Sequence, residues 1–175
     1  MGDRRREEYD DENGKVRQTA FEEELNDFFV EKGFGWQMVS GRVVTRETET
    51  FELTIRTTME ALSEAGRKTA MSEINEALVD LSRRPTADLT GATTHAMAAL
   101  ECVMRDACED ARLTLGTLLQ RYAGVIPKPL DLAIEKAWGY ASGYGRHIAE
   151  GGEPGRKEVE LVVGLSATVA TYLSR

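Results

Sequence analysis

The chain has 175 residues, enough for one domain with a real core or one domain with an extension. Hydrophobic residues make up 41% and charged residues 30%, an ordinary globular balance, and no apolar run reaches the length of a membrane span. The formal net charge of -8 argues against broad nucleic-acid binding, whose affinity comes from neutralising phosphates, but it leaves room for a local basic patch.

Residues 1–15 are almost all polar or charged, with mixed signs, and predict a disordered charged tail. They carry charges where a signal peptide needs an apolar stretch, and Arg6 stands where a myristoylation signal needs Ser or Thr. The two cysteines, Cys102 and Cys108, are about 1.7 helical turns apart, so they face different ways and no disulfide is expected between them. Unpaired thiols and the absence of a leader point to the cytoplasm.

The next segment, residues 16–85, predicts N-terminal helices and one β-hairpin. Phe21, Leu25, Phe28 and Phe29 recur at helical spacing, the acidic run Glu22-Glu23-Glu24 suits the start of that helix, and Gly33 ends it. Two β-prone runs across residues 35–46 flank a two-residue turn at Ser40-Gly41, with Trp36 as the expected anchor of the hairpin. Phe51, Ile55, Met59 and Leu62 make a second helical stripe that stops near Gly66. Ala70, Ile74, Ala77, Leu78 and Leu81 make a third, which Pro85 breaks.

Residues 86–175 predict a helical bundle, so the fold class is mainly α. Thr86 or Asp88 can cap a helix from Leu89 to Asp110 whose stripe is rich in alanine. A short helix follows around Leu115, Leu118, Leu119 and Tyr122. Pro127 and Pro129 bracket the start of the next, which carries Leu130, Ile134, Ala137, Trp138 and Ala141 into the stretch Gly139 to His147. After the loop Gly151 to Gly155, the last helix, Arg156 to Leu173, has almost no polar face beyond its first turn. It calls for cover on all sides, either from a second subunit or from the N-terminal helices and hairpin.

Arg146-His147 is the first candidate site. An arginine can hold a phosphate bidentately, and a histidine can move a proton near neutral pH, so the pair could cleave RNA without metal. The structural alternative places both cations at a helix C-terminus, where they bond the last carbonyls. His95, with Asp88, Cys102 and Asp106, forms one stripe that is either a polar seam meeting Arg146-His147 or a solvated edge. Glu101 and Arg105 form an i, i+4 ion pair in a supporting role. Arg83-Arg84 marks a helix end, and Gly139 with Gly143 suggests a flat face for close packing. No P-loop, GxGxxG, HExxH or GxSxG motif is present, and with only His95 and His147 a closed zinc site is not expected, so neither metal nor cofactor is implied.

The order DLTGATTHAMAALECVMRD, TLGTLLQRY, WGYASGYGRH, a Gly-rich loop and EVELVVGLSATVATYLSR resembles the C-terminal helical domains of bacterial abortive-infection proteins, a branch related to the HEPN superfamily. The resemblance covers about residues 86–175. It implies a HEPN-like bundle used in phage defence or toxin–antitoxin systems, a homodimer through the apolar last helix, and RNA or a partner protein such as an antitoxin as binding partner. It further implies Arg146 and His147 as the catalytic pair, His147 as general acid/base and Arg146 as phosphate clamp, with His95 and Glu101 in support. HEPN ribonucleases carry their arginine four to six residues before the histidine. Here Ala141, Ser142 and Gly143 occupy those positions and the arginine is adjacent, so the motif is degenerate and a dimerisation, sensing or ligand-binding module stands beside the metal-independent ribonuclease.

Overall fold

A computed structural model describes residues 19–32, 35–45, 48–146 and 152–175, without the side chains of Thr45 and Arg146. The expected disordered tail, residues 1–15, lies outside the described residues. Among the described residues there are seven helices and one two-stranded antiparallel hairpin, so the chain is mainly α. It divides into two compact units, Met1–Glu47 and Thr48–Arg175.

The smaller unit holds helix α1 (19–31) and strands β1 (Trp36–Val39) and β2 (Arg42–Thr45). Ser40 and Gly41 both have positive φ, 50° and 78°, which gives the two-residue turn whose twist matches its strands. The turn fixes the register, with Trp36 opposite Thr45 and Val39 opposite Arg42. A polar clamp joins helix and hairpin. The Asn26 amide donates to the Met38 carbonyl at 2.9 Å and accepts from the Met38 N–H at 2.6 Å, filling the open edge of β1. Glu22 accepts from the Gly41 N–H in the turn at 2.6 Å. Trp36, the expected anchor, is half-buried, and Val44 is fully buried, at 1% exposure.

The larger unit contains α2 (Glu49–Glu64), α3 (Lys68–Ser82), α4 (Leu89–Ala107), α5 (Leu115–Arg121), α6 (Leu130–Arg146) and α7 (Arg156–Ser174). Helix α4 is central, packing against α3, α5, α6 and α7. Its stripe Ala92, Ala96, Ala99 and Val103 is fully buried, as is Leu100. Met97, Leu100 and Met104 join Leu115, Leu118 and Leu119 of α5 and Ile134 of α6 in one apolar cluster. The turn at Pro85 does not separate two compact units, because α3 and α4 lie against each other along their length within the larger one.

Side chains close the helix ends. Thr48 accepts from the Phe51 N–H, and Asp88, of the two candidate caps, accepts from the Gly91 N–H at 2.7 Å. Arg67 donates to the Leu173 carbonyl and to Ser174 at the end of α7. Arg156 donates to the Leu81 carbonyl at the end of α3. Thr58, fully buried on α2, lies 3.0 Å from the Ala167 carbonyl and 2.8 Å from the Thr171 hydroxyl of α7. Glu101 and Arg105 hold the connection from α4 to α5. One Glu101 oxygen lies 2.7 Å from the Arg105 guanidinium and the other accepts the Leu115 N–H at 2.8 Å, while Arg105 Nε donates to the Leu113 carbonyl.

Helix α7 buries Val159, Val162, Val163, Ser166, Ala167 and Ala170. It is not covered all round: Leu161 is 70% exposed and Tyr172 55%. Nor do Gly139 and Gly143 form a packing face, since a Cβ on either would meet nothing within 4 Å. Gly116 is a glycine that packing does require: a Cβ there would come to 3.0 Å from the Trp138 ring. Gly116→Ala therefore loses about 1–3 kcal/mol through overpacking. Gly139→Ala and Gly143→Ala each gain about 0.5–1 kcal/mol, because they remove backbone freedom from a helix at no steric cost. Urea unfolding of the three variants measures both signs.

Candidate functional site

Glu73 and Asp80 are two turns apart on α3, and Asp88 and His95 are two turns apart across the start of α4. The close approach of α3 to α4 turns these two stripes toward each other. The Glu73 carboxylate lies 2.7 Å from His95 Nδ1 and accepts its hydrogen bond, while Asp80 lies 3.7 Å from Nε2. The histidine thus stands between two carboxylates.

Asp80 is the most enclosed charge of the group, with its side chain 2% exposed. Its backbone carbonyl accepts the Asp88 N–H at 2.9 Å, which fixes the turn between the helices. The Arg83 guanidinium lies 2.8 Å from Oδ1 but off the hydrogen-bonding direction, so the contact is ionic and Oδ1 has no hydrogen-bond donor. Arg83 also reaches Asp88 at 3.5 Å. Burial raises the Asp80 carboxyl above the usual carboxylate range, against the opposing pull of Arg83 and then His95, and with a further push from Asp88. Gly91 lies directly over this group: a Cβ there would collide with the carboxylates of Asp80 and Asp88.

A cleft of about 560 Å³ opens beside His95. Asp88, Thr90, Gly91, Thr94 and His95 of the α4 side form one wall, and Tyr144, Gly152 and Glu153 form the other. Tyr144 stands edge-on to Tyr140, with ring centroids 4.9 Å apart. Burial, then the hydrogen bond with Tyr144, pushes the Tyr140 hydroxyl up to about 12, so it remains protonated.

The expected residues fall unevenly on this site. Asp88 and His95 line the cleft. Cys102 and Asp106, further along the same stripe, line a separate hollow of about 360 Å³ with Arg67, Lys68 and Arg105. Burial raises the thiols of both Cys102 and Cys108, so neither is activated as a nucleophile. Glu101 and Arg105 are committed to the α5 connection. Arg146 is described as the last residue of α6, two positions beyond Tyr144, and His147 lies outside the described residues. Glu73 and Asp80 were not singled out from the sequence. Asp80 carried a signal, since it sits three residues after Ala77 and directly before Leu81, beside the buried stripe of α3. Among the described residues no group of three or more His, Cys, Asp or Glu side chains is placed to hold a metal ion. No protein-family model, curated protein or solved structure matches this chain.

The raised pKa of Asp80 has a definite sign. Between the ordinary carboxylate pKa and the raised one, the folded chain binds the proton that the unfolded chain has released. Stability from this group therefore falls as pH rises through that window, and above it the ionised carboxylate is a full cost. Asp80→Asn removes this dependence. Urea midpoints measured across the acidic range should show the wild-type curve falling relative to the variant as pH rises, and parallel curves would refute it.

Proposed function

We propose that this chain is an interaction module of the HEPN-like, abortive-infection type, a dimerisation and ligand-binding domain of bacterial defence whose Arg146-His147 pair binds rather than cleaves. The residues that carry the resemblance support the class, and a mainly helical bundle is the fold that class requires. The observation that supports binding over cleavage is the charge around His95. Its two nitrogens face Glu73 and Asp80, and the cleft beside it carries Asp88 and Glu153. A general base must reach the proton it removes with a free nitrogen, and a phosphodiester must enter a field that attracts it. Asp80, at 3.7 Å, is beyond hydrogen-bond distance and leaves Nε2 unbonded, but the carboxylates around it give the cleft a field that repels a phosphodiester. The threonine and tyrosine hydroxyls and the carboxylates of the cleft suit a neutral or cationic polar ligand, or a basic segment of a partner protein.

The test is incubation of the purified chain with structured and tRNA-like RNA in EDTA, alongside His147→Ala. Both proteins should leave the RNA intact. Cleavage by the wild type that His147→Ala abolishes would replace this reading with a metal-independent ribonuclease, His147 acting as general acid/base and Arg146 as phosphate clamp.

A further inference from the structure

The cleft beside His95 is rich in hydrogen-bond acceptors. His95 directs its Nδ1 hydrogen to Glu73, so the neutral ring carries a bare lone pair on Nε2. Thr94 directs its hydroxyl hydrogen to the Thr90 carbonyl at 2.9 Å and keeps only lone pairs for the cleft. Asp88 and Glu153 add carboxylates, and the exposed Glu153 makes no ion pair among the described residues.

Two independent features point to what these acceptors receive. The Asp80 side chain is 2% exposed, and its Oδ1 has no hydrogen-bond donor. Its Oδ2 fills the space that a side chain on Gly91 would take, and Gly91 lines the cleft. Across the cleft stands the ring of Tyr144, oriented by its edge contact with Tyr140. An aromatic face attracts a cation as the carboxylates do. The chain's own cations leave the acids in excess. Arg83 faces Asp80 and Asp88, and Arg156, the other cation at the end of α3, is held by Glu160 and the Leu81 carbonyl.

We infer that this cleft binds a guanidinium group, stacked on the Tyr144 ring, with its N–H groups directed to Asp88, His95 and Glu153. A guanidinium is planar, always charged, and carries donors all round its edge with no acceptor. It can lay its face on an aromatic ring and still bond carboxylates in its plane. An ammonium is a compact, strongly hydrated charge and cannot do both. The cleft, at about 560 Å³, falls within the roughly 300–1,000 Å³ of small-ligand sites, so an arginine side chain enters with room for its flanking backbone. The same chemistry comes from an arginine of a partner protein or from a small free guanidine.

The inference rests on the ligand-binding reading and names its ligand, and the two fail separately. RNA cleavage that His147→Ala abolishes would overturn that reading, whereas failure to bind a guanidinium would overturn this inference alone. The experiment is titration of the isotope-labelled full chain at low salt, followed by its amide NMR signals. N-acetyl-arginine amide should shift Gly91, Thr94 and His95 saturably. N-acetyl-lysine amide should bind about fivefold more weakly or worse, and the uncharged citrulline counterpart should not bind. Glu153→Gln should weaken the arginine compound by about threefold, and Tyr144→Leu by about fivefold. Glu153 is exposed and outside the helices, so its variant tests the site without risk to the fold, and circular dichroism checks Tyr144→Leu. Agmatine and a glycine-flanked arginine peptide separate the two sources, since the tighter of the two names the origin of the group. No saturable shift at these amides, equal binding of lysine and arginine, or arginine binding indifferent to both variants would each overturn the proposal.

Discussion

Ala92, Ala96 and Ala99 put no more than a methyl group between α4 and the helices that lie closest to it. The large residues of α4, Met97, Leu100 and Met104, point toward α5 and α6, which leaves the small stripe for α3 and α7. Helix axes near the short end of the packing range bring flanking side chains into mutual reach as well. The His95 group follows from that approach. Glu73 and Asp80 meet His95 because α3 lies so close to α4, and Gly91 is required where the Asp80 carboxylate crosses the start of α4. A larger residue on the alanine stripe would cost core packing and would also part the carboxylates from the imidazole.

The energetics of that group differ from those of the core. A buried ion pair recovers only part of the desolvation it incurs, so Asp80 with Arg83 and His95 adds little net stability. Removing one partner is another matter, because it strands a charge that has almost no exposed surface. The arrangement therefore fixes geometry more than it supplies free energy. It sets the angle between α3 and α4 through the Asp80 carbonyl and the Asp88 N–H, and it holds the imidazole plane at the edge of the cleft.

The helices were legible because apolar periodicity is a local property of the chain. The stripes through Ile55 and Leu62, through Ile74 and Leu81, and through Ala92 and Val103 are the ones that become buried. Positive φ at Ser40 and Gly41 bears out the hairpin turn. What failed to show in the sequence was tertiary. Nothing in the spacing of Asn26 says that its amide will clamp Met38 twelve residues away. Trp36 is the larger side chain, yet burial falls on Val44. At the site, His95 and Asp88 could be read as one stripe, but the carboxylates that bracket His95 come from another helix. Gly139 and Gly143 have the spacing of a packing motif without a neighbour to receive it. Spacing records which residues share a face, and only the fold decides whether another element lies over it.

Helix α7 carries this distinction furthest. Its composition is apolar nearly all round, which on composition alone asks for burial on every side. The fold covers one face, with valine, serine and alanine, residues small enough to let α2 and α4 approach. The other face holds leucine and tyrosine, side chains with more reach than an exposed helix surface has use for. A helix that needed only to close its own bundle would gain nothing from Leu161 and Tyr172 on that outer face, and could carry charges along its whole length. Instead the exposed charges gather at the two ends, Lys157 and Glu158 at the start and Arg175 at the finish, with the apolar residues between them. That pattern leaves an apolar middle with solvated margins.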